Sequence, residues 1–190
     1  MHPQFFREMS IWQNIWCVIT APRYGWELIN ENNIPSGRVM QGAFIPLLIL
    51  LGLSCFVPMI YDRTITFSSS LITGIILVSA YSVSYLIIYY LLGGFYPELA
   101  RNEGAITRLK DFILYNLIFL VLLIILRNLL PSDFTPVLFL MAYLPWIVYR
   151  GTSHLFVKKD KVTKFVIISS ALLLLTPIAV KAFLELFVIK

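Results

Sequence analysis

The segment TITFSSSLITGIILVSAYSVSYLIIYYLLGGFY, residues 64–96, contains no charged side chain. A helix rises 1.5 Å per residue and the hydrocarbon core of a bilayer is about 30 Å thick, so about 20 apolar residues cross it. This segment, with its core at 67–92, is longer than a crossing needs, and the surplus predicts tilt or an interfacial extension. Outward from it, four more charge-free runs occur at 42–61, 112–126, 134–149 and 165–180. The run at 42–61 has the length of a span. The runs at 112–126 and 134–149 are short between charges, but Arg127 can snorkel and extend the former to Leu130. Lys181 does the same for the last run, which continues to Ile189. Pro131, Ser132 and Asp133 separate the third and fourth runs and predict a tight hairpin turn. The expected fold is therefore all-α, a polytopic bundle of five spans at about 42–61, 66–93, 111–130, 134–150 and 164–188, preceded by a cytoplasmic, interfacial region at 1–41.

Composition points the same way. The chain is 59% hydrophobic and 13% charged, against about 25% charged residues in an ordinary soluble domain. The net charge of +5 does not indicate nucleic acid, because the basic residues lie between apolar runs, where they set topology. Arg7, Arg23 and Arg38 precede the first span. Arg63 follows it, and Arg101, Arg108 and Lys110 follow the second. Arg127 follows the third, and Arg150, Lys158, Lys159, Lys161 and Lys164 follow the fourth, leaving Lys181 and Lys190 in the tail. With the N-terminus inside, eleven of these face the cytoplasm and four face out, which places the C-terminus outside. No secretory leader is read in residues 1–41, which carry charges and no long apolar core. Cys17 and Cys55 lack the spacing of a zinc site or a redox pair.

The N-terminal region has its own pattern. Phe5, Met9, Trp12, Trp16 and Ile19 recur at helical spacing beside Ile15, with Arg7, Ser10, Gln13 and Asn14 on the other side. This predicts an amphipathic helix on the cytoplasmic surface, with its tryptophans at headgroup level. The same stripe would also serve a protein partner. Pro22 predicts the start of a second short helix through Trp26 and Ile29, and Gly37 a turn into the first span. Lys158, Lys159, Lys161 and Lys164 form a basic group that can attract anionic headgroups at about 1 kcal/mol per residue. Trp12, Trp16, Pro22, Trp26 and these four lysines are the candidate lipid or partner contacts. The bilayer is the expected partner, a protein at the cytoplasmic face is the next, and a homo-oligomer is left open.

Signs of catalysis are sparse. His2 and His154 have no carboxylate or cysteine cluster, so no metal site is expected, and His154 reads as a solvated loop histidine near Arg150. Pro35, Ser36, Gly37 and Arg38 match only a fragment of the membrane lipid phosphatase signature. Pro97 predicts a short helix after Gly93 and Gly94, bracketed by Glu98 and Glu103. The second span is rich in hydroxyls: Ser68, Ser69, Ser70, Ser79, Ser82, Ser84, Tyr81, Tyr85, Tyr89 and Tyr90. Together with Gly74 and Ala80 they predict a helix-packing surface, and a polar cavity beside the second span is the alternative. No cofactor is expected.

The chain resembles the Yip-domain family of five-span membrane proteins. The likeness is carried by the entry string 19–29 with Pro22, Trp26 and Ile29, by Pro46-Leu47-Leu48 opening the first span, and by Gly93-Gly94 ending the second. Leu109-Lys110-Asp111-Phe112 begins the third, and the exit at 143–151 runs from Tyr143 to Gly151. The resemblance implies five spans, a cytoplasmic N-terminus and no enzymatic activity. For eukaryotic members it also implies association with Rab-type GTPases. The short N-terminal region is similar to that of bacterial members, in the inner membrane. The expected function is a non-enzymatic membrane-organising scaffold or partner-recruiting protein, with a small transporter or channel subunit as the alternative.

Overall fold

The computed structural model describes residues 3–99, 106–130 and 136–188, and over them the chain is helical nearly throughout. Its first two helices, α1 (Pro3–Thr20) and α2 (Pro22–Asn32), form a hairpin. Proline disfavours the helical region for the residue before it. Ala21 accordingly sits at φ −139°, ψ 71° and breaks the helix, while Pro22 occupies the first turn of α2. Gly25 permits the close pairing: a Cβ there would lie 2.4 Å from the backbone nitrogen of Val18. Asn33 ends α2 in the left-handed region at φ 42°, and its N–H donates to the carbonyl of Ile29, an ending that asparagine tolerates.

The next helical run comprises α3 (Ser36–Val39), a π-helical stretch (Met40–Phe44), α4 (Ile45–Ser54) and α5 (Pro58–Tyr61). It begins before residue 42, because nothing between Pro35 and Gly42 breaks a helix. Gly37 therefore lies in a helical turn and not in a loop. A proline ring collides with the carbonyl four residues earlier. The widened stretch before Pro46 and the tightened turn at Cys55–Val57 before Pro58 are where the chain accommodates those collisions. In that turn the N–H of Val57 donates to Ser54 O at 3.1 Å.

Helix α6 (Phe67–Leu99) starts on a reciprocal cap. Ser69 N–H donates to Thr66 Oγ1 and Thr66 N–H donates to Ser69 Oγ, each at 3.2 Å. The helix continues past Gly93 and Gly94 for a length of about 50 Å. Glycines weaken a helix but remove no hydrogen bond, so the expected stop and the separate helix at Pro97 do not occur; Glu98 lies within α6. His2, Arg101, Glu103 and the turn at Pro131, Ser132 and Asp133 lie outside the described residues.

Helix α7 (Ile106–Leu129) is the hub, buried on every face over residues 112–121. The segment after it is broken into α8 (Pro136–Phe139), a 3₁₀ stretch (Leu140–Tyr143) and α9 (Leu144–Gly151). A second 3₁₀ turn (Lys159–Lys161) leads into α10 (Val162–Val188), which contains Pro177. Gly74 and Gly52 let α6 and α4 cross closely, since a Cβ on Gly74 would lie 3.0 Å from Gly52 O. This is the packing role expected of Gly74.

Among the described residues four stretches are long and apolar enough to cross a membrane: Ser36–Tyr61, Phe67–Phe95, Arg108–Leu129 and Lys159–Phe187. Ile49, Leu53, Ile75, Ile167, Leu175 and Phe183 stand exposed on their outer faces, a surface that hydrocarbon solvates and water does not. The chain is thus a multi-pass membrane protein. The fifth expected span, 134–150, begins outside the described residues; its described part runs through α8, the 3₁₀ stretch and α9 over residues 136–151, changes geometry before Pro145, and is not among the four.

Candidate functional site

The bundle has two ends, and polar residues gather at both. At the proximal end, where α7 begins, Trp26 of α2 is the anchor. Its indole stacks on Phe112, with ring centroids 5.6 Å apart, and meets Tyr115 edge-on at 6.1 Å. Its Nε1–H donates to the carbonyl of Ile147 on α9 at 3.1 Å. Gly151 makes room for this stack, since a Cβ there would lie 2.8 Å from the Phe112 ring and 3.0 Å from Trp26. On α1, Asn14 is fully buried. Its Oδ1 accepts from Asn32 Nδ2 at 2.8 Å, and its Nδ2 approaches the Tyr115 hydroxyl at 3.4 Å.

His154 joins the same node. It is 2% exposed, packed on Trp26 at 5.2 Å, and not solvated as the basic loop suggests. Asn30 Oδ1 faces both Arg108 Nη1, at 3.0 Å, and His154 Nδ1, at 2.8 Å. A guanidinium only donates, so this oxygen accepts from both, and Nδ1 is the protonated nitrogen of a neutral imidazole. Nε2 is buried without a partner among the described residues. Burial, with the Arg108 charge second, pushes the imidazole down to about 4.

The sequence-derived contact residues divide between inside and outside. Trp12 and Trp16 are 44% and 67% exposed. Trp26 is 1% exposed and Pro22 is buried, so neither is available to lipid or a partner. The inward face of α1 is Ile11, Asn14, Ile15 and Val18. Asn14, expected on the polar side of this helix, instead turns inward, because Tyr115 and Asn32 give it partners. Lys159 and Lys164 are exposed and Lys158 and Lys161 half-buried, all beside the start of α10.

At the distal end, where α7 finishes, lies a cavity of about 670 Å³ between α6, α7 and α10. Leu77, Leu120, Ile124 and Leu174 form apolar wall, and Thr73, Tyr81 and Asn128 add polar atoms. Pro177 also faces it, and its missing N–H leaves the carbonyl of Leu173 without the usual helical donor. Along α7 the cavity runs from Leu120 to Arg127, about 10 Å. Asp62, Arg127 and Lys181 mark its mouth. Asp62 Oδ1 accepts from Thr64 N–H at 2.9 Å and from its hydroxyl at 2.6 Å, which holds the carboxyl below its usual range. Lys181 pairs with Glu185 at 3.0 Å. Arg127 has no ion-pair partner among the described residues.

The hydroxyls of α6 divide between the expected packing surface and the alternative, a cavity lining. Ser82 and Ser84 bond back to the carbonyls of Val78 and Ala80 at 2.8 and 2.6 Å, and Thr73 and Tyr81 are the hydroxyl groups of α6 that line the cavity. Sequence reading took Arg127 only as a span terminus. The signal it left unused was the neighbouring Asn128, a second polar side chain at an apolar end, whose Nδ2 donates to Ser54 Oγ at 2.9 Å. Among the described residues no three His, Cys, Asp or Glu side chains converge on a metal-sized site. No protein-family model, no curated protein and no solved structure matches the chain.

Proposed function

We propose that this is a non-enzymatic membrane protein of the Yip-domain type, crossing a bacterial inner membrane five times and acting as a scaffold that organises lipid or recruits a partner at its cytoplasmic face. The observation that carries this reading is the α1–α2 hairpin. Trp26 fastens it to α7 and α9, while Trp12 and Trp16 are left outside on the same hairpin. Tryptophans with an apolar body and a polar N–H suit headgroups or a partner's surface.

The fifth crossing is supported by where the ends of the broken segment lie. Met141 lines the distal cavity beside Arg127, whereas the carbonyl of His154 accepts from Arg108 at 3.4 Å at the proximal end. The residues 136–151 between them are long enough for roughly 26 Å of helix. A crossing here also keeps Lys158, Lys159, Lys161 and Lys164 on the same side as Arg108, as the bias of basic residues to the cytoplasmic face requires. Reporters fused to the two termini then appear on opposite sides of the membrane; the same side for both removes the fifth crossing.

For the scaffold role, the double variant Trp12→Ala, Trp16→Ala lowers the lipid or protein retained on purification from native membranes, with the fold intact by circular dichroism. Retention equal to that of the parent protein counts against it. The distal cavity favours a second reading, a transporter or channel subunit. Solute flux through the purified protein in liposomes supports that reading, and its absence removes it.

A further inference from the structure

The distal cavity combines apolar walls, a mouth with a guanidinium that has no ion-pair partner among the described residues, and access from the side. Its volume of about 670 Å³ lies within the roughly 300–1,000 Å³ of small-molecule sites. Two of its lining residues, Thr73 on α6 and Ile178 on α10, are exposed. These helices are membrane-crossing stretches, so the cavity opens to the acyl chains as well as towards the mouth at Asp62. At that mouth Asp62 is already bonded by Thr64 and Lys181 by Glu185, so among the described residues Arg127 is the lining cation without an ion-pair partner, placed to recruit a ligand anion. Guanidinium pairs with phosphate through two parallel charge-assisted hydrogen bonds.

We propose that this cavity is a binding site for one anionic phospholipid taken from the surrounding leaflet, with its phosphate on Arg127 and an acyl chain between α6, α7 and α10. The site rests on the membrane embedding of the four long helices and not on the role assigned to the N-terminal hairpin. The depth of about 10 Å below Arg127 takes the upper part of a chain, and the side opening lets the rest remain in the bilayer. The apolar wall of Leu77, Leu120 and Leu174 excludes a free inorganic anion as the preferred occupant, since such an anion would leave that wall empty.

The test uses native mass spectrometry of the full chain, released from nanodiscs that contain equal phosphatidylglycerol and phosphatidylcholine. The expected result is a one-to-one adduct with phosphatidylglycerol, favoured about tenfold or more over the neutral lipid. Arg127→Gln abolishes that preference and Arg127→Lys restores part of it. Leu77→Trp, which fills the cavity, removes the adduct while leaving Arg127 in place. Equal retention of the two lipids, an adduct unchanged in Leu77→Trp, displacement by inorganic phosphate, or a lipid-free dimer each overturns the proposal. Loss of the Trp12 and Trp16 contacts leaves this adduct unchanged, so the two proposals fail separately.

Discussion

The proximal and distal ends of the bundle are made from similar residues, yet one is filled and the other hollow. At the proximal end the closest approaches fall on glycines: Gly25 against the backbone of Val18, and Gly151 against Phe112 and Trp26. At the distal end Gly74 still brings α6 against α4 at Gly52, but the cavity beside it is lined by Pro58 and Pro177. Glycine removes a side chain and lets helices meet. Proline inside a helix removes a donor and pushes the preceding turn aside, as Pro177 does where α10 borders the cavity. The contrast sets a tightly packed end of the bundle against a hollow one, and it can be tested by mutations of matched size.

The largest effect is expected at Trp26. Trp26→Ala removes the stack on Phe112, the contact with His154 and the bond to Ile147 O. The indole is 1% exposed, and truncating a buried aromatic costs about 3–5 kcal/mol. Denaturant titration in detergent micelles measures it, and a cost below about 1 kcal/mol shows that the hairpin is not anchored there. Gly25→Ala is expected to be similarly disruptive, because its new methyl group meets backbone atoms of α1 that cannot rotate away.

A smaller effect is expected from acid. His154 is neutral in the fold, with its imidazole pushed down to about 4 from an ordinary 6.5. Between those values the unfolded chain binds the extra proton and the folded chain does not. Stability is therefore full above about pH 6.5 and falls as pH drops towards about 4, a loss on the order of a few kcal/mol. The midpoint of unfolding should decline through that window, and His154→Gln should flatten the decline. A profile identical to that of the parent protein places the acid sensitivity elsewhere.

This histidine shows where sequence reading stopped. The four long helices were legible because each is an apolar run of sufficient length. The broken segment at 136–151 was legible as apolar, but the interruption before Pro145 was not. His154 lies in a basic loop, and only Asn30, 124 positions away, supplies the acceptor that lets it be buried. Trp26 and Trp16 look alike in a string, since each offers an apolar body and an N–H; which one enters the core depends on α7 and α9. A polar cavity beside the second span was the alternative reading of its hydroxyls, and Tyr81 does line the cavity; its size and position were not legible, because a void is the absence of side chains between helices whose crossing is set elsewhere. Its mouth was partly legible in Arg127 and Asn128.

The smallest effect is expected in the distal cavity, and there the contrast is sharpest. Gly151→Val adds volume against two fully buried rings, and overpacking of that kind costs about 1–3 kcal/mol. Ile124→Phe adds volume too, but Ile124 borders about 670 Å³ of unfilled space. The larger ring gains contacts there that isoleucine lacks and displaces no packed neighbour. The net change should lie within about 0.5 kcal/mol of zero or be slightly stabilising. Denaturant titration of the two variants side by side gives the comparison directly. If both lose stability equally, the distal space is closed in solution, and the difference between the ends is one of composition and not of packing. If only Gly151→Val loses stability, the hollow is a standing feature that the fold keeps without an occupant.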